Sequence, residues 1–489
     1  MKRTIFYLSW LLILGTTFSC KKVLLESPKG LTIEAFYNTP AEVEAGLAAI
    51  YVPLRQQMSG WWIAILETHA EWGAGMNGQT NFDSYKSMQG LSSTGENNLI
   101  PRWNAFYTSI RNANLVINYT PNSTVLSQEQ KDSYVAEAKF MRAFAYFQLV
   151  RGWAGVPIHT EQNLSESSNI PKGTKEQVYD LITSDLEFAE NNLPDNPPLV
   201  GKPSKWSAKA FLSDVYLYQA LYAKASEKAN EVIMSGKYSL ERVTVADDFN
   251  KLFGMNSNSK EEVFYLKYNQ NSPGELILFT QQEQTPWFGS GGYGLINWTK
   301  TSKFYKAWDD NDLRKRFNWY DEQVNLKPFL AGQPEFPNQE IISPKKYNNP
   351  DATIETFSLT CYRFADVLLI YAEASAQAAG PTADGVEKLN MVHRRAYGLD
   401  PLQPSSVDFQ LAAYTTTTFT DLVVQERGYE FQLEGKRWFD LVRSGRVKEV
   451  MKNNIGRDVA DKHLLWPIPR IEFALNKGLD PTKDQNPGY

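Results

Sequence analysis

Cysteine is nearly missing from this chain. Cys20 and Cys361 are the two in 489 residues. With Cys20 in a leader-like segment, the remainder holds one thiol, which excludes an intramolecular disulfide, a cysteine metal site and a redox pair. Histidine is almost as scarce. His69, His159, His393 and His463 lie far apart, and none has an H-E-x-x-H or similar ligand spacing. No charge sign dominates: 50 Lys and Arg are interspersed with 55 Asp and Glu, for a formal charge of −5. The basic stripe of a nucleic-acid binder is therefore absent. After Cys20, no run approaches the ~20 uninterrupted apolar residues of a membrane helix. No cofactor is expected.

What is present begins at the N-terminus. Lys2-Arg3 precede an apolar stretch from Ile5 to Phe18, and Thr17-Phe18-Ser19-Cys20 follows. A charged start, an apolar centre and small residues before a cut are the layout of a secretory signal. Cysteine as the first residue after the cut resembles the acyl acceptor of a bacterial lipoprotein. Residues 1–19 are thus expected to be removed, with Cys20 lipidated and the lipid as the sole membrane anchor. The alternative is a plain secretory signal that happens to contain a cysteine. Aromatics reach 13%, with 13 Trp and 25 Tyr. In an exported protein, such rings suit cores and also stacking on ring-shaped ligands.

Helical periodicity dominates the first half. Thr39 to Gln57 has Pro40 at a helix-start position and Val43, Leu47, Ile50, Tyr51 and Leu54 on one face. Trp103 to Tyr119 repeats the pattern. Ser127 caps a helix from Gln128 to Trp153, and Thr174 caps one that Pro194 ends. Lys205 to Gln219 and Tyr222 to Ser235 form a tight pair. Small residues (Ala136, Ala138, Ala143, Ala145; Ala208, Ala210, Ala225, Ala229) alternate with large aromatics. That pattern predicts knob-and-hole helix hairpins in a tetratricopeptide-like stack. From Tyr238 to about Thr360 the chain is rich in Gly, Pro, Asn and Trp, which predicts long loops and a few short strands. Helices are expected again at Tyr362 to Ala379, Ala383 to Ala396 and Thr420 to Ser444, followed by coil from Pro467 to Tyr489. The predicted class is mainly α, a helical-hairpin scaffold with long irregular loops.

Several segments together carry a resemblance. Glu137-Ala-Lys-Phe-Met-Arg-Ala-Phe-Ala-Tyr-Phe-Gln-Leu-Val150 with Gly155-Val-Pro-Ile158 resembles the "RA-x-x-Y-F … G-x-V-P" signature of the SusD/RagB family. Tyr179-Asp-Leu-Ile-Thr-Ser-Asp-Leu186 with Leu193-Pro194 is similar to its "Y-D-x-I-x-x-D-L … L-P" segment. Arg363 to Ala374, Leu389 to Ala396, Glu426 to Phe431, Glu434 to Leu441 and the Pro467-Ile-Pro469 … Gln485-Asn-Pro-Gly-Tyr489 ending match in family order. The resemblance implies an α-helical outer-membrane lipoprotein of Bacteroidota that is not an enzyme. It implies binding of a nutrient, an oligosaccharide or else a peptide, at the cell exterior, and delivery to a SusC-like TonB-dependent transporter. It divides the chain into the signal (1–19), an N-terminal helical-repeat region (20–240) and a C-terminal region (241–489). The last has a loop-rich middle (241–360) and helices (361–445), and both regions are expected in one compact unit.

Candidate site residues follow from chemistry. Trp72 and Tyr85 lie in or beside the Gly-rich segment Gly73 to Gly95. Trp287, Tyr293 and Trp298 lie in the Gly-rich middle. Large rings flanked by glycine suit stacking on the apolar face of a sugar, with Asn81 and Asp83 as polar partners. Trp61, Trp62 and Trp103 fit a core equally well. The charged set Glu426, Arg427, Glu430, Glu434, Arg437, Asp440 and Arg443 is expected to be scaffold, with Glu426, Glu430, Glu434 and Arg437 on one helical face. Arg142, Arg363 and Arg395 are expected to pair with carboxylates or carbonyls between helices. A glycosidase would need two facing carboxylates. Glu67, Glu71, Asp83, Glu96, Glu283, Asp309 and Asp310 are the loop candidates for that alternative.

Overall fold

The computed structural model describes residues 33–72, 74–75, 80–166, 168–253, 258–268, 274, 296–299, 302–320, 341–347 and 358–489. Cys20, Glu283, Trp287 and Tyr293 lie outside them. The fold is mainly helical. Helix α1 (Pro40–Gln57) starts from a capping box, in which Thr39 and Glu42 satisfy each other's backbone N–H. A π-helical turn, Met58–Trp62, leads into α2 (Ile63–Thr68). Then come α3 (Thr80–Ser87), α4 (Ser93–Tyr119), α5 (Gln128–Trp153) and α6 (Lys175–Asn192), followed by α7 (Lys205–Tyr218) and α8 (Tyr222–Met234). Ser127 and Thr174 build the same box for α5 and α6.

Successive helices pack on each other: α1 on α4, α4 on α5, α5 on α6, α6 on α7 and α7 on α8. Ala136, Ala138, Ala143, Ala145, Ala208, Ala210, Ala225 and Ala229 are all fully buried. These positions are the holes that let neighbouring backbones approach and rings such as Phe144, Phe147 and Phe211 interlock.

Strands then interleave with short helices. Strand β1 is Ala74–Gly75, β2 Glu262–Lys267 and β3 Ile296–Thr299, with α9 (Lys303–Ala307) and α10 (Leu313–Asn318) before β4 (Trp319–Tyr320), β5 (Ile341–Pro344) and β6 (Ser358–Arg363). β2 and β6 form an antiparallel pair, and the others a sheet ordered β1-β3-β5-β4. Helices α11 (Phe364–Ala379), α12 (Ala383–Ala396), α13 (Thr416–Glu430), α14 (Arg437–Arg443) and α15 (Val447–Ile455) complete the scaffold. α11 packs on α8, so the hairpin stack continues into the second half. One buried cluster extends from Tyr37 to Ile468.

Three expectations need correction. The run Tyr362 to Ala379 is strand up to Arg363 and helix after it. Thr420 to Ser444 is two helices, broken at 431–436 where Leu433 and Gly435 take positive φ (61° and 69°). Glu434 therefore sits in the turn rather than on the face of Glu426 and Glu430. The terminal segment also carries two short helices, Arg470–Leu475 and Pro481–Asp484. Among the described residues, no helix is long and apolar enough to cross a membrane.

Candidate ligand-binding face

The four-stranded sheet joins two stretches that the sequence separates widely. Ala74 pairs with Asn297 and Gly75 with Ile296, so the segment after Trp72 lies beside the strand of Trp298. Trp298 itself is opposite Ile342. Beside the sheet sits a second apolar cluster, Ala70, Trp72, Phe304, Trp308, Trp319 and Ile342.

Its indoles are fixed by their own N–H groups. Trp72 Nε1 donates to Glu67 Oε2 (2.8 Å), Trp308 Nε1 to Asp312 Oδ2 (2.8 Å) and Trp319 Nε1 to Gln432 Oε1 (2.5 Å). The broken helix supplies one more tie, because the Gly435 N–H donates to Glu67 Oε1 at 2.8 Å. Burial raises the Glu67 carboxyl to about 7 against the lowering effect of those bonds.

Two tyrosines rest half-buried on this foundation. Tyr429 stacks on Trp308, with centroids 4.8 Å apart and planes 21° apart, and it contacts Phe304 at 4.9 Å. The Lys315 ammonium lies 4.3 Å from the centre of the Tyr305 ring. Exposed Asp309, Asp310 and Asn311 directly follow Trp308 in the chain. Half-buried Tyr397 donates to Asp309 Oδ2 at 2.9 Å. Ring faces next to carboxylate and amide groups can stack on a sugar and bond its hydroxyls.

The sequence candidates divide on burial. Trp72 is 1% exposed and Tyr85 fully buried, its hydroxyl donating to the Gly95 carbonyl at 2.5 Å. Trp72 supports the face from within and Tyr85 packs in the main core, so neither is presented on an open loop, a correction to their expected role as stacking rings. Asp83 is exposed, but on α3, whose backbone also carries Asn81. Trp62 and Trp103 are core. Tyr305, Tyr429 and Tyr397 were missed. The spacing of Phe304, Tyr305 and Trp308 was an available signal, whereas Tyr429 was hidden in a stretch read as scaffold.

The charged set is a buried ionic spine. Glu430 accepts from Arg363 (2.5 Å), Arg314 (2.9 Å) and Arg395. Burial pushes its carboxyl up, but the guanidiniums of Arg395, Arg363 and Arg314 outweigh it and hold it well below the usual range. Glu434 takes Lys346 (2.6 Å) and Arg363 (2.9 Å), and Arg437 takes Glu71 (2.6 Å). Arg142 joins Asp185 (2.7 Å), Asn114 and Glu161. Glu67 and Glu71, candidates for a hydrolase, thus serve internal partners and are each 1% exposed. Among the described residues, no group of three or more His, Cys, Asp or Glu could hold a metal ion.

Comparison with known proteins fits this architecture. The model of the SusD family matches residues 242–489, and a second, described as "Starch-binding associating with outer membrane", matches residues 34–217. A SusD-like protein of Formosa agariphila is 27% identical over 503 residues, covering 94% of each chain. The solved SusD homolog of Bacteroides thetaiotaomicron superposes with a TM-score of 0.76 at 22% identity, covering 94% of this chain and 98% of that one. Surface glycan-binding protein A of Bacteroides fluxus gives 0.73 at 21% identity, covering 92% and 100%.

Proposed function

Because the chain belongs to the SusD family, we propose that it binds an oligosaccharide outside the cell and hands it to a TonB-dependent outer-membrane transporter. Acyl chains on Cys20 hold it to the outer membrane, and it performs no chemistry on its ligand. The single observation that carries the binding reading is the pair of half-buried tyrosines, Tyr305 and Tyr429, on an indole foundation beside Asp309 and Asn311. The glycan-binding relative on the same fold supports the choice of a sugar. Trp298, Asn81 and Asp83 belong to the proposed site through the segments that the sheet brings together, and Trp287 and Tyr293 through the sequence alone.

Calorimetric titration against a panel of soluble glycans and peptides tests the reading. Saturable binding of at least one oligosaccharide, with no cleavage on long incubation, is expected. Binding confined to peptides, or release of reducing sugar, overturns it. Membrane fractionation of Cys20→Ala tests the anchor, which predicts its loss from the membrane.

A further inference from the structure

A cavity of about 60 Å³ lies where the N-terminal hairpins meet the C-terminal helices. Arg151 of α5, Asp214 of α7, Tyr362 of β6 and Arg427 of α13 all line it. Its charges are incompletely matched. Arg427 is 4% exposed; its Nε donates to Asp440 Oδ2 at 2.8 Å, yet its Nη1 finds no acceptor among the described residues. Arg151 spends Nε on the Phe147 carbonyl (3.0 Å) and Nη2 on Gln148 Oε1 (2.6 Å), both neutral groups of its own helix. Asp214 is 7% exposed, and its Oδ2 accepts from the Tyr362 hydroxyl at 2.8 Å. None of the ion pairs among the described residues involves Arg151 or Asp214.

Half-buried Arg151, whose guanidinium also lies over the Phe147 and Phe439 rings (4.1 and 4.3 Å), and buried Arg427 thus share this space with Asp214 without pairing to it directly. A buried polar group left without a partner, as Arg427 Nη1 is here, costs about 1–3 kcal/mol, and a bridging water removes most of that cost at little entropic expense. At 10–15 Å³ each, the cavity has room for roughly four or more waters. The lining carries carboxylates (Asp214, Asp366, Asp440 and Glu434) as well as cations, which disfavours a bound anion. We propose that this cavity holds an ordered cluster of about four waters that bridges Arg427 Nη1 and Arg151 to the Asp214 carboxylate. The two halves of the molecule are then joined here through a solvent-separated ion triad.

A high-resolution crystal structure of the chain, grown with and without bromide, tests this. Contiguous water density is expected, with one water bonded to Arg427 Nη1 and another to Asp214, and no anomalous bromide peak inside. A dry cavity, direct Arg–Asp contact, or a bromide peak overturns the proposal. In solution, water ¹⁷O relaxation dispersion of the wild type should reveal long-lived internal waters, and Asp214→Leu should lose at least one of them. No long-lived waters in the wild type, or an unchanged number in a folded Asp214→Leu, also overturns it. If that variant fails to fold, the wild-type measurements decide alone.

Discussion

The ionic spine and the aromatic face lie on adjoining turns of the chain, yet they use their side chains in opposite ways. In the spine, polar groups are buried and spent on each other: Glu430 alone takes three guanidiniums. In the face, the polar ends of Trp72, Trp308 and Trp319 are satisfied inward, while Tyr305 and Tyr429 keep part of each ring toward solvent. Residues rich in chemistry are therefore a poor guide to function by themselves. What separates the two regions is whether their valences are already filled.

Breaking the spine should give the largest effect. Glu430→Ala removes the carboxylate that three buried guanidiniums share, leaving each with fewer acceptors, and ~3–5 kcal/mol of stability should be lost. Denaturant unfolding measures it, and glycan affinity of the folded fraction should stay unchanged. Lost binding with an intact unfolding midpoint would turn the spine into a site.

Next come two buried groups with opposite pH signatures. Burial lowers His69 to about 4, against the bond its Nδ1–H makes to the Ile65 carbonyl. Its folded value is below the unfolded 6.5, so unfolding takes up a proton; its stabilisation is complete above 6.5 and fades as pH falls toward 4. Glu67, raised to about 7, runs the other way: its share is complete below 4.5 and fades as pH rises through 7. Each limb is worth about 3 kcal/mol, and over the shared window they largely offset. Glu67→Gln should leave stability rising more steeply between pH 4.5 and 7 than in the wild type, and His69→Gln should leave it falling. Parallel curves for both variants would refute the assignment.

On the face, Tyr429→Ala should weaken glycan binding by ~2 kcal/mol, about thirtyfold, with a smaller loss of stability. A large fall in melting temperature with unchanged affinity would return Tyr429 to the scaffold. Smallest of all, Asp83→Asn should alter stability by less than ~0.5 kcal/mol. Its effect on affinity should be about 1 kcal/mol, the worth of one hydrogen bond. Identical titration curves would remove Asp83 from the site.

The helical scaffold was legible in the sequence because its signals are local. Thr39, Ser127 and Thr174 announce helix starts, and the Ala–aromatic alternation announces hairpins. The break after Glu430 was not legible, since Leu433 is an ordinary helix former and its positive φ is imposed by the buried partners around the turn. The start of α11 was misplaced because Ser358 to Ala374 is apolar enough to suit a strand or a helix. For the face, the two segments were identified but not the roles of their rings. That Trp72 turns its N–H to Glu67, five residues earlier, depends on a Gly435 contact from the far end of the chain, which no local pattern encodes.

The sheet that assembles the face has edge strands of two residues each, β1 and β4. So short a ladder adds little to global stability, while the hairpin stack carries the rest. Segments bordered by these strands can therefore be lengthened, shortened or rewritten at small cost to folding. Separating what must fold from what can vary in this way lets one architecture be re-addressed to a new ligand by changing its loops, without re-solving its core.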